Sequence, residues 1–221
     1  MNDLDLPDIP GGWVTRDLMV ADRLFHFVVP AEPEVFLNPD NPALGKTIQT
    51  TYWQYVWPTA IDMGRLVLAE VWNSRQEVLE LGCGVGLVGV AALAAGLNVT
   101  MSDCDPVAVE VAMTNARRNG FDAAKGLLLT WHSPVSGRFP VILASDILYQ
   151  RHQIPSILRV IDSMLEDTGV CWVGDPGRSS VPDFLSAATK AGYDIRLRSA
   201  DGREVMFPAA GKFVLVELRR E

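Results

Sequence analysis

Residues 77–87, with the sequence EVLELGCGVGL, decide the fold of this chain. A short apolar run ends at Leu81, three glycines follow at alternate positions, and a segment of small apolar residues begins at Leu87. This order predicts a buried strand, a tight loop and a helix. Glycines at positions 82, 84 and 86 allow the backbone to turn sharply and to approach a ligand closely.

Strand and helix signals alternate on both sides of this stretch. We expect helices over residues 58–71, 87–95, 105–119, 154–165 and 180–192, and strands over residues 77–81, 98–102, 125–130, 141–144, 170–173, 193–198 and 213–218. This alternation predicts an α/β fold, a doubly wound and mostly parallel seven-stranded Rossmann-like sheet. A loop-like segment, 200–211, joins the last two strands, which should therefore form an antiparallel pair at the sheet edge.

Local signals refine some of these elements. Asp105 precedes Pro106 and is expected to cap the third helix. Ser180 and Asp183 resemble a capping box for the fifth helix. Residues 205–207 are expected to add a short hairpin arm.

Composition and charge exclude several classes of function. The chain has 221 residues, of which 48% are apolar and 21% charged, as in ordinary globular proteins. The net charge of −8 argues against a nucleic-acid partner, because phosphates attract proteins mainly through Lys and Arg. The three cysteines, Cys83, Cys104 and Cys171, lack metal-site spacing, so we expect neither a metal site nor a disulfide framework. We interpret them as buried thiols.

Two acidic residues indicate the ligand of the glycine loop. Asp103 ends the second predicted strand about 20 residues after Gly82, where a carboxylate can accept hydrogen bonds from ribose hydroxyls. Glu80 lies two residues before the first glycine, where its charge would repel the pyrophosphate of a dinucleotide. S-adenosylmethionine carries an ammonium, a sulfonium and no phosphate, so the pattern favours it as the cofactor over a nicotinamide dinucleotide.

Longer motifs carry a resemblance to a known family. The segments VLELGCGVGLVG and VTMSDCDP resemble the first two motifs of class I, seven-strand, S-adenosylmethionine-dependent methyltransferases. The stretches VWPTA, TW and LASDILY are similar to methyltransferase family 16, which includes protein-lysine methyltransferases. The resemblance implies S-adenosylmethionine as cofactor, S-adenosylhomocysteine as product and a protein lysine as the methyl acceptor.

The resemblance also implies roles for individual residues. Trp57 and Trp131 are expected to pack on the cofactor, although core packing is the alternative for each. Asp146 and Tyr149 are expected to border the acceptor pocket as catalytic residues, with a helix cap as the alternative role of Asp146. The remaining cofactor-binding candidates are Glu80, Gly82, Cys83, Gly84, Gly86, Asp103, Cys104, Ala144 and Ser145. Arg178, in a D-P-G-R stretch, is expected to meet an acidic substrate group.

The N-terminal region has a different texture, rich in Pro, Asp and Asn. We expect residues 1–56 to form a substrate-side extension and residues 57–221 to form the methyltransferase domain. Residues 24–29 predict a strand, and residues 47–52 are expected to pair with it as a hairpin. Trp53 is expected to pack in the core or on the surface. The chain lacks a signal-peptide pattern and an apolar run that could span a bilayer, so we expect a cytoplasmic protein without membrane contact.

The sequence therefore predicts an S-adenosylmethionine-dependent methyltransferase with a protein substrate. Two alternatives stay open, a small-molecule N- or O-methyltransferase and a non-catalytic scaffold that keeps the cofactor pocket. The sequence does not define the oligomeric state or the number of methyl groups transferred.

Overall fold

A central sheet and a separate N-terminal hairpin contain the strands of the structure, a computed structural model that describes residues 6–37, 52–133 and 136–220. Within these ranges the strands are β1 (Trp13–Val20), β2 (Arg23–Pro30), β3 (Glu77–Leu81), β4 (Asn98–Asp103), β5 (Lys125–Leu128), β6 (Phe139–Ser145), β7 (Leu165–Asp175), β8 (Tyr193–Arg198) and β9 (Val214–Arg220). The α-helices are α1 (Pro58–Ala69), α2 (Leu87–Ala94), α3 (Pro106–Arg118), α4 (Ile154–Met164) and α5 (Val181–Lys190).

The central sheet has the order β5-β4-β3-β6-β7-β9-β8. All neighbours are parallel except at β9, which runs antiparallel to both β7 and β8. This confirms the predicted doubly wound sheet with an antiparallel edge pair. Alternate strand residues enter two hydrophobic clusters, one with α1, α2 and α3 and the other with α4 and α5. Helices therefore cover both faces.

The order of the strands reverses between β3 and β6. The chain passes from β3 outward to β4 on one side, whereas β6 and β7 extend the sheet on the other. Leu81 at the end of β3 pairs with Ala144 near the end of β6. Ligands of open α/β sheets bind at such a switch point, beyond the carboxyl ends of the strands. The fold thus places the glycine loop and the tip after β6 side by side.

The N-terminal hairpin consists of β1 and β2. The strand predicted over residues 24–29 is confirmed as part of β2, but its described partner is β1, which the sequence analysis did not identify. The predicted partner, residues 47–52, lies outside the described residues except for Tyr52. Phe27 and Val28 are fully buried and join the cluster that contains α1, α2 and α3.

Three local predictions have different outcomes. Asp105 caps α3 as predicted, since its Oδ1 accepts a hydrogen bond from the backbone N–H of Val107 at 2.9 Å. The capping box at Ser180 is wrong, because its hydroxyl donates to the carbonyl of Leu148 at 2.6 Å and does not cap α5. Residues 205–207 do not form a strand. The segment contacts β8 through an isolated bridge between Arg198 and Glu204 and through the N–H of Val205, which donates to the carbonyl of Leu197 at 2.9 Å.

Candidate active site

The glycine loop after β3 has a backbone that other residues rarely adopt. Gly82, Gly84 and Gly86 have φ angles of +65°, +53° and +86°. A Cβ atom on Gly86 would lie 2.8 Å from the Cβ of Ala112 on α3, and one on Gly84 would lie 3.1 Å from the carbonyl oxygen of Trp53. The loop therefore depends on glycine both for its conformation and for its close packing.

The end of β4 is tied to this loop through Asp103. One carboxylate oxygen accepts a hydrogen bond from the N–H of Gly84 and the other from the N–H of Asp105, both at 3.0 Å. Burial raises the pKa of Asp103, and these two N–H groups oppose the shift. Cys83 is buried, whereas Cys104, next to Asp103, is exposed, so the prediction of buried thiols is wrong for Cys104.

Glu80 lies beneath the glycine loop, on the face of the sheet covered by α2. Its side chain is buried and approaches Gly89 so closely that a Cβ there would collide with Oε2. Burial raises the pKa of Glu80 to about 8, the N–H of Gly89 opposes the shift, and the charge of Asp103 adds to it. Oε2 is buried beside Gly89, and apart from the N–H of that residue it meets no hydrogen-bond donor of the described residues. A buried carboxylate oxygen of this kind fits a ligand with cationic groups, reached directly or through water.

The two candidate cofactor tryptophans lie in different surroundings. Ring atoms of Trp131 lie within 3.9 Å of the Cβ position of Gly82, so Trp131 flanks the loop. Trp57 is half-buried at the start of α1, and its Nε1 donates to the carbonyl of Tyr52 at 3.0 Å. Trp53 is buried in the core beside Trp13 and Phe36, as expected.

The tip after β6 begins at Asp146, in a left-handed conformation with a φ of +65°. Its N–H donates to the carbonyl of Gly174 on β7 at 2.9 Å. No helix begins there, because the next helical residues are Arg151–Gln153. The alternative role of Asp146 as a helix cap is therefore wrong. Ala144 and Ser145, also cofactor candidates, precede this tip, and the Ser145 hydroxyl is buried without a hydrogen-bond partner among the described residues.

A cluster of three charged residues, Asp146, Arg178 and Asp175, lies at this tip. The Arg178 guanidinium pairs with Oδ1 of Asp146, and its Nη1 lies 3.0 Å from Oδ2 of Asp175. Asp175 is fully buried, and its Oδ1 also accepts from the backbone N–H groups of Gly177 and Arg178. Two carboxylates and one guanidinium carry a net charge of −1. Asp175 was not predicted as a site residue, because D-P-G-R is a turn signal in any context.

Aromatic rings surround the open side of the tip. Tyr149 and Tyr52 are 43% and 38% exposed, with ring centroids 5.2 Å apart. Tyr52 and Tyr55 also lie 6.4 Å and 5.1 Å from the Trp57 ring. Burial raises the pKa of Tyr149 to about 12, with smaller contributions from Cys104 and Asp103. Sequence analysis missed Tyr52 and Tyr55, although the density of aromatic residues there is a usable signal.

Comparison with known proteins identifies the family. The family model described as lysine methyltransferase matches residues 48–189. The chain belongs to the lysine methyltransferase family. The expectations of an S-adenosylmethionine-dependent methyltransferase and of that cofactor are thereby confirmed at the level of the family.

Curated relatives of this lysine methyltransferase family member differ in the side chain they modify. This chain is 31% identical over 118 residues to protein N-lysine methyltransferase METTL21A of Danio rerio, and the match covers 49% of this chain and 54% of that protein. It is 28% identical to histone-arginine methyltransferase METTL23 of Rattus norvegicus, covering 67% of this chain and 69% of that protein. The chain thus spans about half of the first relative, and family membership leaves the acceptor open.

Solved structures agree with the fold. A TehB-like S-adenosylmethionine-dependent methyltransferase from Corynebacterium glutamicum matches with a TM-score of 0.61 and 20% identity, covering 72% of this chain and 88% of that chain. At this identity the match supports the class I fold alone. Within the described ranges no helix is long and apolar enough to cross a membrane, and no group of three or more His, Cys, Asp or Glu side chains is placed to hold a metal ion.

Proposed function

We propose that this protein transfers a methyl group from S-adenosylmethionine to the side-chain amine of a protein lysine. The observation that carries this proposal is the charge of the tip after β6, where Asp146, Asp175 and Arg178 have a net charge of −1. A net negative tip attracts an ammonium group. The exposed faces of Tyr149 and Tyr52 beside it favour a cation further.

The cofactor would be held by the loop and the strand ends around it. Gly82, Gly84 and Gly86 allow it to approach the backbone, with Cys83 in the same loop. Asp103 would accept hydrogen bonds from the ribose. Glu80, which holds a proton at neutral pH in the free protein, would release it to solvent on cofactor binding and stabilise the cationic groups as a carboxylate. Trp57 and Trp131 would pack on the cofactor, and Cys104, Ala144 and Ser145 would line its site. When bound, S-adenosylmethionine supplies the methyl group on a positively charged sulfur.

The chain's own residues would orient and deprotonate the acceptor. A lysine amine attacks only in its neutral form, so its proton has to leave first, to water or to a nearby oxygen. Arg178 pairs with Oδ1 of Asp146, and we assign Oδ2 to the incoming amine. Tyr149 would form the opposite wall and align the lysine side chain. The remaining rate enhancement would come from proximity and orientation.

We also propose the division into a substrate-side extension, residues 1–56, and a methyltransferase domain, residues 57–221. Tyr52 and Tyr55 belong to the extension and lie beside Tyr149 and Trp57. The extension would therefore contribute directly to the acceptor mouth. Arg178 pairs with two carboxylates of its own chain. Its predicted contact with an acidic substrate group therefore stays a prediction.

The proposal is tested with a host lysate and S-adenosylmethionine labelled in the methyl group. We expect label on protein, located by mass spectrometry at the Nε of a lysine. An Asp146→Asn variant is expected to keep cofactor affinity and to lose most of the labelling. Label confined to small molecules, or to arginine or histidine, would contradict the lysine proposal. Absence of any S-adenosylhomocysteine release would favour a non-catalytic scaffold.

A further inference from the structure

Asn115 on α3 and Asn119, which follows the last residue of α3, bind the outer edge of the N-terminal hairpin. Oδ1 of Asn115 accepts from the N–H of Val28 at 2.7 Å, and its Nδ2 donates to the Val28 carbonyl at 3.0 Å. Asn119 makes the same pair of hydrogen bonds with His26, both at 2.9 Å. Four residues along a helix rise about 6 Å, and two residues along a strand about 7 Å, so the two amides match the spacing of the strand.

Asn115 also reaches the glycine loop. Its Nδ2 donates a second hydrogen bond, at 2.9 Å, to the carbonyl of Val85. An amide group has two N–H donors, and Asn115 uses one on the hairpin and one on the loop. Asn119 uses its second donor on the carbonyl of Asn115, in the last turn of α3, at 2.8 Å. Of these two asparagines, Asn115 joins the hairpin to the loop.

The position of Val85 makes this contact relevant to cofactor binding. Val85 lies between Gly84 and Gly86, which both have positive φ angles. The N–H of Gly84 is bound by Asp103. The loop is thus held at two consecutive residues, by the end of β4 and by α3. Glycine-rich backbone loses more conformational freedom on ordering than other backbone, so contacts that order it in advance favour ligand binding.

We propose that Asn115 couples the N-terminal hairpin to the cofactor loop, so that docking of the hairpin on α3 holds the loop in its cofactor-binding conformation. Asn115 is a positioning residue in this account, because it acts through Val85. The hairpin thereby contributes to cofactor affinity, beyond the substrate-side role proposed for residues 1–56. This inference rests on cofactor binding at the glycine loop and is independent of the methyl acceptor.

The first test compares Asn115→Ala with Asn119→Ala by calorimetric titration of S-adenosylhomocysteine. Both variants lose hydrogen bonds to the hairpin, but Asn115→Ala also loses the one to the loop. One hydrogen bond of typical strength corresponds to about a three- to tenfold change in affinity. We expect Asn115→Ala to bind about three- to tenfold more weakly and Asn119→Ala to bind within about twofold of the unmodified protein. Equal affinity of Asn115→Ala and the unmodified protein would overturn the coupling.

The second test uses the unmodified protein and does not depend on the folding of a variant. Coupling between two sites is reciprocal, so S-adenosylhomocysteine should slow hydrogen exchange at the amides of Phe27 and Val29 in β2. This protection should persist in Asn119→Ala and be lost in Asn115→Ala. Tight binding without protection of the hairpin would overturn the coupling alone. Failure of the unmodified protein to bind would overturn both the cofactor site and the coupling.

Discussion

Replacement of Arg178 by methionine tests the charged cluster at the tip of β6. Methionine keeps much of the aliphatic length but removes the charge that pairs with Asp146 and Asp175. The Asp175 side chain is fully buried and the Asp146 side chain is 8% exposed, so both carboxylates would remain in a poorly solvated site. Removal of one partner from a buried ion pair costs about 3–5 kcal/mol.

The lower end of that range applies here. Arg178 is 29% exposed, so water can partly replace it, and Asp175 keeps its hydrogen bonds from the N–H groups of Gly177 and residue 178. We therefore expect a loss of about 3 kcal/mol in the free energy of unfolding, or about 6–12 °C in Tm for a chain of this size. The transfer rate should fall as well, while the affinity for S-adenosylhomocysteine stays unchanged.

Urea titration followed by tryptophan fluorescence measures the change. The matched control is Arg65→Met, which removes an exposed i,i+3 pair with Asp62 at 3.1 Å and should cost about 1 kcal/mol or less. If Arg178→Met lost no more stability than this control, the cluster would not be a buried, mutually stabilising unit. Normal turnover in Arg178→Met would refute the positioning of Asp146 by Arg178.

Three further predictions concern the loop, the buried acid and the acceptor mouth. Gly86→Ala should destabilise more than Gly96→Ala, since both have φ near +86° but only at Gly86 does the new Cβ overlap Ala112; thermal melts of the two variants measure the difference. The raised pKa of Glu80, about 8, means that the folded state holds a proton that the unfolded state releases near pH 4.5. Stability without cofactor should therefore fall as pH rises from about 4.5 to 8, and Glu80→Gln should flatten that slope in urea titrations at several pH values. Tyr52→Leu should raise KM for a lysine peptide about two- to fivefold while Tyr52→Phe does not, and equal KM values for the two variants would remove the cation–π argument.

Much of the fold follows from local patterns. The predicted strands at residues 77–81 and 193–198 coincide with β3 and β8, because short apolar or alternating runs bounded by turn residues are typical of strands. Strand β7 extends from Leu165 to Asp175, well beyond the predicted residues 170–173, because its first half is polar and contains Gly169, so it lacks the apolar run on which the prediction rested. Strand β1 was missed because most of its residues are exposed, so it lacks the apolar run or regular alternation that marks a strand.

The candidate site was predictable only where one motif contains all its parts. The glycine loop and the acid of β4 could be placed because the spacing of a βαβ unit brings them together. The contacts of Asn115 with Val28, 87 positions away in the chain, and of Arg178 with Asp146 could not, because they depend on how helices and loops pack. Ser180 shows the same limit, since tertiary packing turned its hydroxyl toward Leu148 and away from the start of α5.

The central claim is that the carboxylate-flanked glycine loop binds S-adenosylmethionine. The most direct measurement is a calorimetric titration of the cofactor into the unmodified protein and into Asp103→Ala. We expect saturable binding that weakens at least about tenfold in Asp103→Ala, because the variant lacks a charged hydrogen-bond acceptor for the ribose. Absence of heat at millimolar cofactor, or equal affinity of the two proteins, would contradict it.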